Sequence, residues 1–156
     1  MSDIELKLDG LHSIIRAVKN SEKTYVKIGI LGSHGARNDG SGKTNSEIGA
    51  IHEFGGAKMP QRSFIRMPIS QMLNKELEKG GSFTPDALKK VIDQKSMVPY
   101  LEKIGIAGEA VISDAFATRG FGQWKMSNMS RKEIKQTLVE SWSLRDSITY
   151  EVIEGE

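Results

Sequence analysis

The residues of this chain whose types could do chemistry are three histidines, scattered carboxylates and a glycine-rich run ending in lysine. His12, His34 and His52 stand far apart in sequence. His52 and Glu53 are neighbours, so on a helix their side chains point about 100° apart. A His-Glu-x-x-His zinc motif would need a second histidine where Gly56 stands. Carboxylate pairs occur, such as Glu76 with Glu78 and Asp39 with Glu47, but no sequence feature brings a pair to one site. No Gly-x-Ser-x-Gly turn for a nucleophilic serine is present. With no cysteine, thiol catalysis, disulfides and thiolate-held metals are excluded. The run Gly40-Ser41-Gly42-Lys43-Thr44 invites a phosphate-loop reading, and with it a nucleotide hydrolase. That motif needs a glycine where Arg37 stands, and its lysine should follow a strand closely. No metal, nucleotide or other cofactor is expected, and no constellation requires an enzyme.

The elements that would position these groups follow from periodicity. Thr44 with Glu47 makes a capping box, predicting a helix from Asn45 with Ile48, Ile51 and Phe54 on one face. Gly55 and Gly56 stop it. Pro60 and Pro68 then frame an extended run, read as an edge strand. In that strand Arg62, Phe64 and Arg66 share one face, with Phe64 the anchor of a docking surface and the arginines its flanks. Glu53 leads into this turn and is expected to form an ion pair with the arginines, holding helix to strand.

Upstream, Leu8 to Asn20 is a helix with Leu8, Leu11, Ile14, Ile15 and Val18 in one stripe, and His12 half exposed beside it. Tyr25 to Leu31 is the clearest strand, and Gly29 within it hints at a close neighbour. Residues 32–43 read as a flexible polar loop. Downstream, helices are expected over Ile69–Lys79, from Thr84-Pro85 through Ile92, and over about 97–118. Gly105 and Gly108 inside the long helix imply that another element packs tightly there, since each costs about 1 kcal/mol against alanine. Phe121, Trp124, Met126 and Met129 are too apolar for a free loop and read as core edge or subunit contact. Ser130 and Glu133 suggest a short helix, residues 138–147 a turn or short helix, and Ile148 to Ile153 a last strand.

Together these predict one α+β domain over residues 1–156. A small antiparallel sheet, with strands near 24–31, 61–67 and 147–153, is covered by helices. A net charge of +2 is too small to argue for nucleic acid by itself. A basic DNA-contacting role through Arg37, Lys43 and Lys58 is the alternative from a different class. No stretch has the length of a membrane span. Asp3 and Glu5 interrupt any signal-like start, so synthesis in the cytoplasm is expected.

The phrases His52-Glu53-Phe54-Gly55 and Pro60-x-Arg62-x-Phe64-x-Arg66 resemble those of bacteriophage tail-completion or head–tail joining proteins. The likeness runs from Val26 to the end of the chain. It continues at Gln123-Trp124 and at Leu144-Arg145-Asp146-Ser147-Ile148-Thr149-Tyr150. Family members carry Trp-x-Pro-Leu-Ser and then Asp-Thr-Gly-x-Leu-Arg-x-Ser-Ile. Here Lys125-Met126-Ser127 and Glu140-Ser141-Trp142 stand at the corresponding places. The resemblance implies a structural virion protein of the neck or tail end, made in the host cytoplasm. It would work as an oligomeric ring against other head, connector or tail proteins, with passive contact to packaged DNA at most. Arg62, Phe64, Arg66, Glu53, Trp124 and Phe121 are the expected interface residues.

Overall fold

The computed structural model describes residues 3–20, 22–37, 42–56, 59–81, 84–94, 96–125 and 142–155. The fold is α+β. Among the described residues, five helices, α1 (Asp3–Asn20), α2 (Asn45–Phe54), α3 (Arg66–Lys79), α4 (Pro85–Gln94) and α5 (Val98–Ala117), accompany two strands, β1 (Tyr25–Ile30) and β2 (Ile148–Ile153). Residues 142–146 add a helical turn before β2, and Gly32–Gly35 a one-turn 3-10 helix after β1. The short helix suggested at Ser130, and Met126 and Met129, lie outside the described residues.

The strands pair antiparallel, from Tyr25 opposite Ile153 to Ile30 opposite Ile148. Two strands alone are marginal in water and need a helix against one face. α5 supplies it. A methyl group on Gly105 would fall on the Tyr150 ring, and one on Gly108 would sit 2.5 Å from Cδ1 of Ile28. The two glycines therefore let the long helix lie directly on the sheet. Phe64, Ile112 and Leu144 form the driest part of the core, with Ile28, Ile30, Ile65, Ile69, Phe116, Trp124 and Ile148 packed around them. α3 also packs against α5, with Ile69 reaching Gly108 beside Ile28.

The third strand expected over residues 61–67 is not there. Residues 61–63 are irregular and α3 begins at Arg66. Pro68 closes no strand: it is the third residue of a helix, where a missing N–H breaks no intrahelical bond. Ile65, in the N-cap position, offers no side-chain cap; the local contribution to the start is the Ser63 hydroxyl, which accepts from the Met67 amide. Among the described residues, no helix is long and apolar enough to cross a membrane.

Candidate functional site

α2 starts as its sequence dictates. Thr44 Oγ1 accepts a hydrogen bond from the Glu47 amide at 3.1 Å, and Glu47 Oε2 accepts one from the Thr44 amide at 2.7 Å. The Thr44 amide and hydroxyl hold the Glu47 carboxyl below its usual pKa. These same groups occupy the helix start that a phosphate would need. Asn45 fastens the preceding loop: its Nδ2 donates to the His34 and Ala36 carbonyls, and its Oδ1 accepts from Arg37 Nη1 at 3.2 Å. Arg37 is thus partly buried against α2. Residues 38–41 and Lys58 lie outside the described residues.

α2 ends at Phe54, and Gly55 takes φ +77°, a left-handed conformation that only glycine adopts cheaply. The chain turns through a bridge between Gly56 and Met59 and runs back along α2. There the Arg62 amide donates to the His52 carbonyl at 2.7 Å, and Gln61 Nε2 donates to the Glu53 carbonyl.

The returning segment closes on the Glu53 carboxylate, which accepts five hydrogen bonds. Oε1 takes the Ser63 hydroxyl at 2.7 Å, the Arg66 amide at 3.3 Å and Arg66 Nε at 2.8 Å. Oε2 takes the Phe64 amide at 2.8 Å and the Ile65 amide at 3.0 Å. Glu53 is therefore the N-terminal cap of α3, supplied from twelve residues before its N-cap position. It also receives the favourable end of that helix's dipole. Burial pushes its pKa up, but Arg66, the Ile65 and Phe64 amides and Ser63 together hold it below the ordinary carboxylate value. Ser63 completes the clasp by accepting from the Met67 amide at 3.0 Å.

The expected Glu53–Arg66 ion pair is present at 2.8 Å. The expected common face of Arg62, Phe64 and Arg66 is not, because no strand sets the alternation. Phe64 is 1 % exposed and packs against Phe116, with ring centroids 5.5 Å apart. It anchors this chain's own core rather than a partner. Arg66 lies over the Phe54 ring, 4.6 Å from its centroid. Arg62 is partly buried, and burial lowers its pKa; among the described residues no carboxylate pairs with it. Its charge, after burial itself, also lowers the pKa of the buried His52.

Trp124 belongs to the core edge. It stands edge-on to Phe116 at 5.5 Å and donates from Nε1 to the Ser63 carbonyl, so it braces the clasp from outside. Phe121 is partly buried in the turn after α5, with φ +53°. Sequence reasoning did not single out Phe54 as a surface group. It is 65 % exposed at the end of α2, beside an open apolar cavity of about 290 Å³ lined by Ile30, Gly49, Ala50, Phe64 and Ile65. Its place on the apolar face of an amphipathic helix hid it, because such a pattern cannot say which end of the stripe the core reaches.

Among the described residues, no group of three or more metal-ligating side chains converges. Comparison with protein-family models, with curated proteins and with solved structures gave no match.

Proposed function

We propose that this chain is a structural protein of a tailed bacteriophage, placed at the head–tail junction or tail end, where it completes the tail or connector and joins the two. It works through protein–protein contacts, in a ring of its own copies and against neighbouring head, connector or tail proteins. The observation that carries this reading is the pairing of Phe54 and Arg66. The two phrases of the family resemblance fold as one interlocked unit around Glu53. That unit presents an exposed aromatic and a stacked arginine on a frame fixed by buried hydrogen bonds. Arginine and aromatic side chains dominate interface energetics, and a rigid frame lowers the entropy lost on binding. Arg62, partly buried and without a carboxylate partner among the described residues, is the third group of this surface.

The test is complementation. A phage lacking this gene should yield separate filled heads and tails by electron microscopy. Purified protein added to the lysate should restore joined infectious particles, and the Phe54→Ala protein, folded as the parent by circular dichroism, should not. Normal joining in the absence of the gene product would overturn the reading.

A further inference from the structure

The chain leaves α5 by a strained path. Arg119, Gly120, Phe121 and Gly122 take φ +55°, +65°, +53° and +80°, successive residues in the left-handed region. Gly120 and Gly122 adopt it freely, but a side chain at Cβ opposes it. Among the described residues, Arg119 and Phe121 are the two non-glycine residues held this way. Neither is asparagine or aspartate, whose short polar side chains ease the conformation. The turn makes hydrogen bonds of its own. The Gly120 amide donates to the Ala115 carbonyl at 2.6 Å, the Gly122 amide to the Thr118 carbonyl at 3.0 Å and the Trp124 amide to the Arg119 carbonyl at 3.1 Å. A right-handed continuation of α5 would also give these amides carbonyl partners, so the bonds alone do not select the left-handed path.

The contacts that do select it come from α3 and the clasp. The Trp124 indole folds back over Gly120, where a methyl group would fall on the ring, and stands edge-on to Phe116. Its Nε1 donates to the Ser63 carbonyl at 3.3 Å, and Gln123 Nε2 donates to Gln71 Oε1 of α3 at 3.0 Å. Ser63 is the joint. Trp124 holds its carbonyl, while its hydroxyl donates to Glu53 at 2.7 Å and accepts from the Met67 amide at 3.0 Å. A residue bonded on both sides carries a displacement from one network into the other.

We propose that the left-handed turn and the Glu53 clasp form one conformational device jointed at Ser63: the closed clasp holds the turn in its strained form through Trp124, and opening of the clasp lets residues 119–122 relax. Strained backbone persists only where its surroundings hold it, and such places serve as switches. The preference for opening resides in Arg119 and Phe121, and the restraint in the bond from Trp124 to Ser63. The coupling is a property of the single chain, so it stands or falls independently of what the protein joins.

Two readouts test it. The chain has two tryptophans, so Trp142→Phe leaves Trp124 as the single indole. In that background Glu53→Gln should open the clasp, red-shift Trp124 emission and raise its quenching by acrylamide, while the helical circular dichroism stays at the parent level. The second readout is amide hydrogen exchange with Glu53 intact. The Phe64, Ile65 and Arg66 amides report the clasp, because each is bonded to Glu53. The amides paired between β1 and β2 report opening of the whole fold. Phe121→Gly and Phe121→Ala lose the same ring and differ in strain, since alanine keeps the cost of a positive φ. Glycine should therefore slow exchange at residues 64–66 by about 3-fold or more against alanine, and slow the strand amides by the same factor. Slowing in the strands alone overturns the coupling, because the clasp then opens without relaxing the turn. Clasp amides as protected as the strands overturn it too, because the clasp then has no opening of its own. So does Trp124 emission in Glu53→Gln unchanged from Trp142→Phe alone. If Glu53→Gln unfolds the chain, the exchange comparison decides.

Discussion

The clasp around Glu53 and the first helix treat their surfaces in opposite ways. At the clasp a carboxylate is 5 % exposed, yet it accepts five hydrogen bonds. In α1, the aliphatic side chains of Leu11, Ile14, Ile15 and Val18 stand about half exposed. A buried charge is tolerable only when its partners are fixed by the fold, so the clasp belongs to the monomer's own stability. An exposed apolar stripe adds almost nothing to that stability and becomes useful on contact with another surface. The comparison separates residues that make the monomer from residues available to an assembly. It moves Phe64 and Trp124 into the first class and leaves Phe54 and Arg62 in the second.

The largest effect expected is from Glu53→Ala. It leaves the Phe64, Ile65 and Arg66 amides without their acceptor and uncaps α3, so the protein should lose about 3–5 kcal/mol in urea unfolding. A loss below about 1 kcal/mol would mean that α3 starts without Glu53.

Acid should act on the same place. The folded pKa of Glu53 is depressed, so its contribution is complete above the unfolded value near 4.5 and disappears as pH falls through the folded value. His52 is also depressed, because burial and then Arg62 disfavour its charged form. Its contribution is complete above about 6.5 and declines below that, as the unfolded chain takes up the proton first. Urea midpoints should therefore fall in two stages on acidification. His52→Gln should remove the earlier stage and Glu53→Gln the later. A profile in His52→Gln unchanged from the parent would remove the histidine from this account.

Gly105→Ala is expected to cost about 1–3 kcal/mol through overpacking against Tyr150, although alanine is the better helix former. Tyr150→Ala in the same chain should turn the glycine replacement from harmful to neutral or helpful, a sign change that a double-mutant cycle reads directly. Smaller still is Arg66→Ala. Its side chain is 60 % exposed, so solvent screening limits the loss to about 1 kcal/mol or less, shrinking in high salt. At the other pole, Leu11→Ser and Val18→Ser should change monomer stability by no more than about 0.5 kcal/mol. A large destabilisation there would place the stripe in the monomer's own core and dissolve the contrast with the clasp.

Much of the architecture was legible in local sequence. The capping box at Thr44 and Glu47, the turn at Gly55, the cap and first-turn proline at Thr84-Pro85 and the alternation of the final strand are short-range codes, and each element forms where its code stands. The glycines of α5 announced a close neighbour, and that neighbour is the sheet. The segment after Pro60 was misread because its organising group is not local. Prolines at 60 and 68 and alternating residue types between them are compatible with a strand. They are equally compatible with a return loop and a helix whose first turn contains proline. Only the Glu53 carboxylate, brought alongside by the turn at Gly55, satisfies the amides of residues 64–66 and lets α3 begin at Arg66. Sequence fixes which residues can donate, accept or bury themselves. Tertiary structure decided that Phe64 turns inward, that Arg66 closes on Glu53 and Phe54, that Arg62 is partly buried, and that the α1 aliphatics stand exposed, because a hydrogen bond or packing contact between distant residues has no period along the chain.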